Sequence, residues 1–104
     1  MNKAIPPTLE KVVERKVCAD AKKKFDIHNI KCNGRGQVGW PDRMFLVKGG
    51  RPVFIEFKQK GKKLTLLQAH MAVILTQKNY PVHRCDNYQE AMNLLSHYHE
   101  MATP

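Results

Sequence analysis

Paired cysteines, long apolar runs and acidic residues are all scarce in this chain of 104 residues. Its cysteines, Cys18, Cys32 and Cys85, are odd in number and widely spaced, which argues against a disulfide framework. No Cys-x-x-Cys pair is present to hold a structural zinc ion, so we expect reduced, buried thiols. No apolar run approaches the roughly 18 residues of a membrane helix, and residues 1–8 lack the apolar core of a signal peptide. The sequence therefore predicts a cytoplasmic protein without a membrane partner.

Acidic residues number 9 against 18 lysines and arginines, which gives a formal net charge of +9. Such a charge favours a polyanionic partner through counterion release and electrostatic steering. The lysines form two blocks: Lys22, Lys23 and Lys24, and then Lys58, Lys60, Lys62 and Lys63. We therefore expect a nucleic acid partner, although charge alone also fits a binding module without chemistry.

The residues that are present fit one packed domain spanning residues 1–104. Hydrophobic residues make up 42% and charged residues 26%, a balance typical of a folded core. Periodicity and turn signals predict helices over residues 8–24 and 65–78, and strands over residues 25–32, 43–47, 52–58 and 81–85. A last helix follows Asp86 or Asn87, with Ala91, Leu94, Leu95 and Tyr98 on one side. This order, α-β-β-β-α-β-α, indicates an α/β fold with a mixed sheet flanked by helices. A helix connects the last two strands, which should therefore be parallel.

Polar residues mark the predicted helix starts. Thr8 is a plausible N-cap of the first helix, and Asp86 or Asn87 caps the last one. Thr65-x-x-Gln68 fits a capping box at the start of the middle helix, which carries a broad apolar face. The apolar side of the last helix hints at an interface between subunits.

Two carboxylates and a lysine fall on neighbouring predicted strands. Asp42 directly precedes one strand, while Glu56 and Lys58 end the next and share a face, because side chains alternate along a strand. Glu56 lies in the apolar run Val53–Phe57, where a buried carboxylate needs a partner or a metal ion. Taken singly, these residues also fit a turn and a solvated strand face. Together they match the inventory for metal-dependent cleavage of a nucleic acid backbone.

The length of the hairpin loop decides whether the two carboxylates meet. A two-residue loop would set Asp42 opposite Phe57, whereas the three-residue loop Lys48–Gly50 would set it opposite Glu56. We favour the three-residue loop, in which Gly50 supplies the left-handed residue. Directly opposed side chains lie about 5 Å apart at Cβ, so this register predicts an electrostatically strained pair.

Three segments of the chain resemble the VRR-NUC family, the virus-type replication and repair nucleases of the PD-(D/E)xK superfamily. They are Gly39-Trp40-Pro41-Asp42-Arg43, Val53-Phe54-Ile55-Glu56-Phe57-Lys58 and Leu64-Thr65-Leu66-Leu67-Gln68. Glu-x-Lys alone is a weak signal, but the three segments in this order and spacing are specific, and the resemblance covers nearly the whole chain. Trp40 departs from the family's usual small aliphatic residue, and we expect it to pack rather than to stack on a base.

The resemblance implies a restriction-endonuclease-like core and phosphodiester hydrolysis that depends on Mg²⁺ or Mn²⁺. It assigns Asp42, Glu56 and the backbone carbonyl of Phe57 as metal ligands. It assigns Lys58 to orienting or deprotonating the attacking water or to stabilising the transition state.

The resemblance also implies a glutamate on the first helix and a glutamine near the metal. Glu14 is the choice by position, with Glu10 one turn earlier as the alternative. Gln68 matches the family's glutamine, and the capping box offers it a competing role that the sequence leaves open.

The resemblance further implies DNA as substrate, branched DNA such as a four-way (Holliday) junction, and a homodimer. Stand-alone members of the family are often small and phage-encoded, and a phage or prophage origin would place this protein in the host cytoplasm. The residues expected to contact DNA are basic: Arg35, Lys60, Lys62, Lys63, Lys22 and Lys23. A non-catalytic basic nucleic-acid-binding module is the alternative.

Overall fold

The computed structural model describes residues 8–34, 36–50 and 52–102. Its elements are α1 (Leu9–Phe25), β1 (His28–Lys31), β2 (Arg43–Leu46), β3 (Val53–Phe57), α2 (Leu66–Gln77), β4 (Val82–Cys85) and α3 (Tyr88–Ala102). The four strands form one mixed sheet in the order β1-β2-β3-β4. The first two pairings are antiparallel and β3 pairs with β4 in parallel. The predicted element order, mixed sheet and parallel pair are confirmed.

The boundary between α1 and β1 differs from the prediction. A strand was expected from Phe25, but α1 continues through that residue and β1 begins only at His28. Asp26 ends the helix in the left-handed conformation, with φ 56°, and its N–H donates to the carbonyls of Ala21 and Lys22. Phe25 packs against the core from the helix, so tertiary packing overrides its β propensity.

The caps behave as predicted at all three helices. The Thr8 hydroxyl accepts from the N–H of Lys11, and Thr65 caps α2. At α3, the choice falls on Asn87, whose Oδ1 accepts from the N–H of Glu90 at 2.8 Å. Each cap satisfies a backbone donor that has no partner inside its helix.

The core has two parts, one on each face of the sheet. The α1 side, covered by α1 and α3, buries Val17, Ala21, Ile27, Phe45, Val53, Ile55, Phe57, Cys85, Ala91, Met92 and Leu95. The α2 side buries Cys32, Phe54 and Leu75, with Trp40, Met44, Met71 and Val82 packed around them. Alternation along β3 therefore sends Phe57 to the α1 side, as predicted, and Glu56 to the α2 side.

The hairpin register is the one predicted for the three-residue loop. Arg43 lies opposite Ile55 and Phe45 opposite Val53, which continues to Asp42 opposite Glu56. The left-handed residue differs from the prediction, because Gly49 has φ 76° and Gly50 has no positive φ. The turn therefore bends one residue earlier, and the register is unchanged.

The apolar surfaces of α2 and α3 are used differently. Leu75 is the residue of α2 that is fully buried, whereas Leu66, Leu67 and Val73 are 92%, 47% and 54% exposed. The apolar side of α3 is instead buried in the core on the α1 side. The sequence hint of an interface on the last helix is therefore not supported, and exposed apolar surface lies on α2. None of the described helices is long and apolar enough to cross a membrane.

Candidate active site

Asp42 and Glu56, here called the carboxylate pair, are both buried at one end of the sheet, with exposures of 6% and 4%. Each carboxylate accepts from the backbone near the other. The N–H of Asp42 donates to Glu56 Oε1 at 3.1 Å, and the N–H of Phe57 donates to Asp42 Oδ2 at 2.8 Å. The register of β2 and β3 thus locks the two side chains together, as predicted.

Electrostatics show that two negative charges do not coexist easily here. Burial raises the pKa of Glu56, and the adjacent Asp42 raises it further, to about 8, against a lowering effect of Lys58. At neutral pH such a pair holds a proton unless a cation compensates the charge. A raised pKa from desolvation together with a charged neighbour is typical of functional sites.

Gln68 makes a contact that fits each of the two interpretations the sequence left open. Its Oε1 accepts from the N–H of Thr65 at 2.9 Å, which completes the capping box of α2. Its Nε2 donates to Glu56 Oε2. The amide has an acceptor at one end and a donor at the other, so the two roles are compatible. The helix start is thereby tied to the carboxylate pair.

Lys58 faces the same carboxylate. Its Nζ lies 3.8 Å from Glu56 Oε2, and its side chain is 15% exposed. Glu56 and Lys58 therefore share the α2 side of the sheet, as the strand alternation predicted. The ammonium of Lys58 thus lies at ion-pair distance from Glu56. Phe57, which lies between Glu56 and Lys58 in the chain, donates its backbone N–H to Asp42.

Asn33 was missed by the sequence analysis and belongs to the site. Its Nδ2 donates to Asp42 Oδ1, while its Oδ1 is buried and has no donor among the described residues. Asn33 lies just after β1, at the sheet end where Asp42 directly precedes β2. A polar residue directly after a strand at that end was the available signal.

A divalent cation fits the chemistry of this end of the sheet. Mg²⁺ is bound through one or two carboxylates and keeps several waters, and Mn²⁺ also takes carboxylates. The carboxylate pair supplies hard oxygens whose charge Lys58 offsets only in part, and the buried Oδ1 of Asn33 can accept from a bound water. In the described ranges, no three or more His, Cys, Asp or Glu side chains converge to hold a metal, so a site built only from protein ligands is not matched.

Glu14 lies at the same end of the sheet but not in the carboxylate pair. It is 3% exposed, and its carboxylate oxygens lie 2.7 Å from Arg43 Nε and 3.2 Å from Lys11 Nζ. Because α1 covers the opposite face from α2, Glu14 meets Arg43, whose side chain alternates away from that of Asp42. Glu10, the alternative, is half-buried in the first turn of α1.

Arg84, also missed by the sequence analysis, holds the basic link, residues 59–63. Its Nε donates to the carbonyl of Lys62 at 2.7 Å, and its Nη1 donates to Asp86 at 3.0 Å. The link itself turns at Gly61, which has φ 83°, and the N–H of Lys62 closes the turn on Gln59. The sequence signal that could have identified Arg84 is its position as a charged residue in a predicted parallel strand. The link leaves its lysines exposed beside the site.

The other predicted DNA contacts are distributed unevenly. Lys22 and Lys23 lie in the last turn of α1, near the start of β1, at the sheet end opposite the carboxylate pair. Lys22 is paired with Asp26 at 2.6 Å. Arg35 lies outside the described residues. The exposed lysines of the basic link, in contrast, follow directly on Lys58.

Gly39 and Trp40 dock the segment before Asp42 onto the α2 side. Gly39 has φ 87°, and a Cβ there would lie 2.7 Å from Leu67 Cγ and 3.0 Å from its carbonyl oxygen. Trp40 packs against Phe54 with ring centroids 6.1 Å apart, in keeping with the packing role we expected. The Gly-Trp-Pro-Asp segment thus brings the first turn of α2 close to the site.

The comparisons with known proteins identify the fold. No protein-family model matches the sequence, and no curated protein does. A solved structure described as a "VRR_NUC domain" aligns over 88% of this chain and 99% of its own, with TM-score 0.75 and 20% identity. A "VRR_NUC domain protein" aligns over 92% of both chains, with TM-score 0.72 and 20% identity. This chain has the VRR-NUC fold, as the three sequence segments predicted.

Proposed function

We propose that this chain is an endonuclease that hydrolyses DNA phosphodiester bonds with Mg²⁺ or Mn²⁺. The observation that carries the proposal is the buried carboxylate pair, with Lys58 at 3.8 Å from Glu56 and Gln68 and Asn33 bonded to the two side chains. Burying two neighbouring carboxylates costs folding free energy, so a function best explains why they are placed here. The shared fold of the VRR_NUC structures supports a nuclease.

The side chains divide the work as follows. Asp42, Glu56 and the carbonyl of Phe57 would hold the metal, which when bound would acidify a water and neutralise charge on the scissile phosphate. Lys58 would orient that water, take its proton or stabilise the pentavalent transition state. Its ion pair with Glu56 keeps the ammonium on the reacting side.

Gln68 contacts the carboxylate pair directly, whereas Glu14 acts through Arg43. Gln68 fixes the orientation of Glu56 through its amide. Glu14 stays in the proposed site as a residue that works through Arg43, the neighbour of Asp42, because its carboxylate is taken by Arg43 and Lys11. Glu14 is therefore a positioning residue rather than a ligand.

DNA would reach the site along the basic link. Lys60, Lys62 and Lys63 are exposed there and follow Lys58 directly. Lys22 and Lys23 would contact DNA only where it extends past the far end of the sheet, and Arg35 would contact it from the glycine-rich loop. The charge of +9 supports the same partner.

The proposed substrate is branched DNA, including four-way junctions, cut by a homodimer in replication, recombination or repair. A two-fold dimer brings two identical sites to opposed strands. The exposed apolar side chains of α2, led by Leu66 at 92%, support a second copy of this chain as the partner. We place the protein in the cytoplasm, that of the host if it is phage-encoded.

Cleavage of a substrate panel tests the activity. Duplex, flap, single-stranded and four-way DNA are incubated with Mg²⁺ or Mn²⁺, and we expect the four-way substrate to be cut fastest. Asp42→Ala should still bind DNA but not cut it. Equal cutting by both proteins would show that the site is wrong, and binding without any metal-dependent cutting would favour the non-catalytic binding module.

Light scattering tests the dimer. Leu66→Gln should shift the mass toward that of a monomer, because Leu66 is the most exposed apolar side chain of α2. Leu9→Gln is the matched control, since Leu9 is 71% exposed on α1. A monomeric wild-type protein, or equal masses for the two variants and the wild type, would contradict an α2 interface.

A further inference from the structure

A second group of charges lies at the site end of the sheet, on the face opposite the carboxylate pair. It forms the basic cleft, lined by Lys11, Glu14, Arg15, Lys31 and Arg43. The cleft has a volume of about 280 Å³. This is below the roughly 300–1,000 Å³ of pockets that enclose drug-sized ligands, so it suits a single small group. Four cations against one carboxylate make that group an anion.

Like charges face each other in the basic cleft, which is unfavourable without a ligand. Lys31 is directly opposite Arg43 in the antiparallel pairing of β1 and β2, and like charges directly opposed across strands are destabilising. Lys11 and Arg15 are one helical turn apart on α1, an arrangement that is also repulsive. Helix α1 and the β1–β2 strand pair thus each present two cations to the same cleft.

Glu14 compensates only part of this charge. Its two oxygens serve Arg43 at 2.7 Å and Lys11 at 3.2 Å. Within the described ranges, the side chains of Arg15 and Lys31 form no hydrogen bond or ion pair with another residue. Local conflict of this kind, in an otherwise consistent fold, is typical of a functional site.

Arg43 is oriented before any ligand arrives. Its Nε is bonded to Glu14 and its Nη1 to Asn29 Oδ1 at 3.1 Å. A guanidinium has five N–H donors in a rigid plane, so further donors are left over. A fixed guanidinium fork matches the geometry of a phosphate oxygen pair.

The basic cleft is close to the carboxylate pair. Arg43 directly follows Asp42, and Lys31 ends β1 at the same sheet end. Burial lowers the pKa of Lys11, but the carboxylates of Glu14 and Asp42 raise it above its ordinary value. A DNA strand that crosses this sheet end could therefore meet both faces.

We propose that the basic cleft binds a backbone phosphate of the DNA strand whose neighbouring phosphate is presented to the carboxylate pair. This inference rests on the proposed function, because it assumes DNA at the site. It adds Arg15 and Lys31 to the DNA-contacting residues. Arg43 would bind the phosphate with a guanidinium that Glu14 and Asn29 already orient. The cleft fixes which way the strand runs past the carboxylates.

The test compares two charge-matched double variants. Arg15→Gln with Lys31→Gln removes the two uncompensated cations of the cleft. Lys48→Gln with Lys78→Gln removes two exposed cations from the opposite sheet end and is the control. DNA binding is measured by fluorescence anisotropy in metal-free buffer across a salt series, and cleavage is measured with Mg²⁺.

We expect the cleft variant to reduce the slope of log K against log[salt] by about one, since each lost phosphate contact removes about 0.9 from it on duplex DNA. KM should rise about tenfold with kcat nearly unchanged, because a contact made equally in ground and transition states is lost. Its melting temperature without DNA should stay level or rise, since repulsion is relieved. The control should keep the wild-type slope.

The outcomes separate the two proposals. If the wild type binds and cuts DNA but the cleft variant keeps its slope and KM, the phosphate site is overturned and the nuclease stands. If the wild type binds DNA without cutting it and the slope still falls, the phosphate site stands and the nuclease fails. A wild type that binds no DNA overturns both.

Discussion

Replacing Asp42 by asparagine should make the metal-free protein more stable while abolishing cleavage. The substitution removes one of two buried negative charges and preserves the hydrogen bonds around it. The carbonyl oxygen of the new amide can still accept from the N–H of Phe57. Its NH₂ can donate to Asn33 once that amide turns over, because Asn33 Oδ1 is buried and has no donor in the described part of the chain.

The pKa of Glu56 sets the magnitude. Its value of about 8 lies above that of an unfolded glutamate, so the folded state binds more protons and stability falls as pH rises from about 4.5 to about 8. At about pH 7 the stability lost through the ionisation of Glu56 is roughly 3 kcal/mol, and solvent screening reduces this loss to about 2 kcal/mol. Burial is the larger cause and Asp42 the second. We therefore assign about 1 kcal/mol to Asp42, or about 4–8 °C in melting temperature.

Thermal melts at about pH 5 and about pH 8, each with EDTA and with Mg²⁺, provide the assay. Without metal, Asp42→Asn should melt higher than the wild type at the upper pH and close to it at the lower one. With Mg²⁺ the wild type should gain stability and the variant should gain less, since ligand binding stabilises the state that binds it. Glu100→Gln, which removes an exposed carboxylate of α3, is the control and should show neither effect.

A lower melting temperature of Asp42→Asn than of the wild type at both pH values, without metal, would contradict this prediction. That result would mean that the hydrogen bonds of the Asp42 carboxylate outweigh its repulsion of Glu56. An equal response of wild type and variant to Mg²⁺ would remove the carboxylate pair from metal binding.

Three further substitutions test how the site is held. Gly39→Ala should lower stability by about 2 kcal/mol or more, measured by urea unfolding, because its φ is positive and a Cβ would meet the first turn of α2; an unchanged midpoint would contradict this contact. Arg84→Gln should raise KM several-fold and make the basic link more sensitive to protease, because the carbonyl of Lys62 loses its donor. An unchanged KM would show that the conformation of the link does not depend on Arg84. Gln68→Glu keeps the helix cap but sets a further carboxylate against Glu56, so metal-free melting should fall at about pH 8 and recover at about pH 5; a pH-independent loss would instead indicate damage to the cap.

The register of the carboxylate pair was predictable because it depends on local rules. Strand alternation and loop length together decide whether Asp42 meets Glu56, and both can be read from the sequence. The exact turn was not predictable to the residue, since Gly49 and Gly50 tolerate a left-handed conformation equally well; the structure has it at Gly49.

The position of Glu14 could not be predicted in the same way. Helical spacing places it on a face of α1, but the rotation of α1 over the sheet depends on how Val17 and Ala21 pack in the core. That rotation directs Glu14 to Arg43, on the face away from Asp42. Contacts between distant segments, such as the donation from Arg84 to Lys62, escape sequence patterns for the same reason.

Gln68 shows why two interpretations of one residue need not compete. The sequence offered a cap or a site contact, and each used only one end of the amide. Packing supplied a partner for the other end. Alternatives based on separate functional groups of one side chain can both hold.

The loose attachment of α2 has a consequence for the geometry of the candidate site. Leu75 is its fully buried residue, yet through Gln68 the helix also fixes Glu56. Elements with little buried surface open locally far more often than the whole fold unfolds. Each such opening would release Glu56, so amide hydrogen exchange in α2 should report directly on the readiness of the site. In the proposed dimer, a second subunit covering α2 would suppress those openings, so assembly would keep the proposed site in place without contacting a reacting atom.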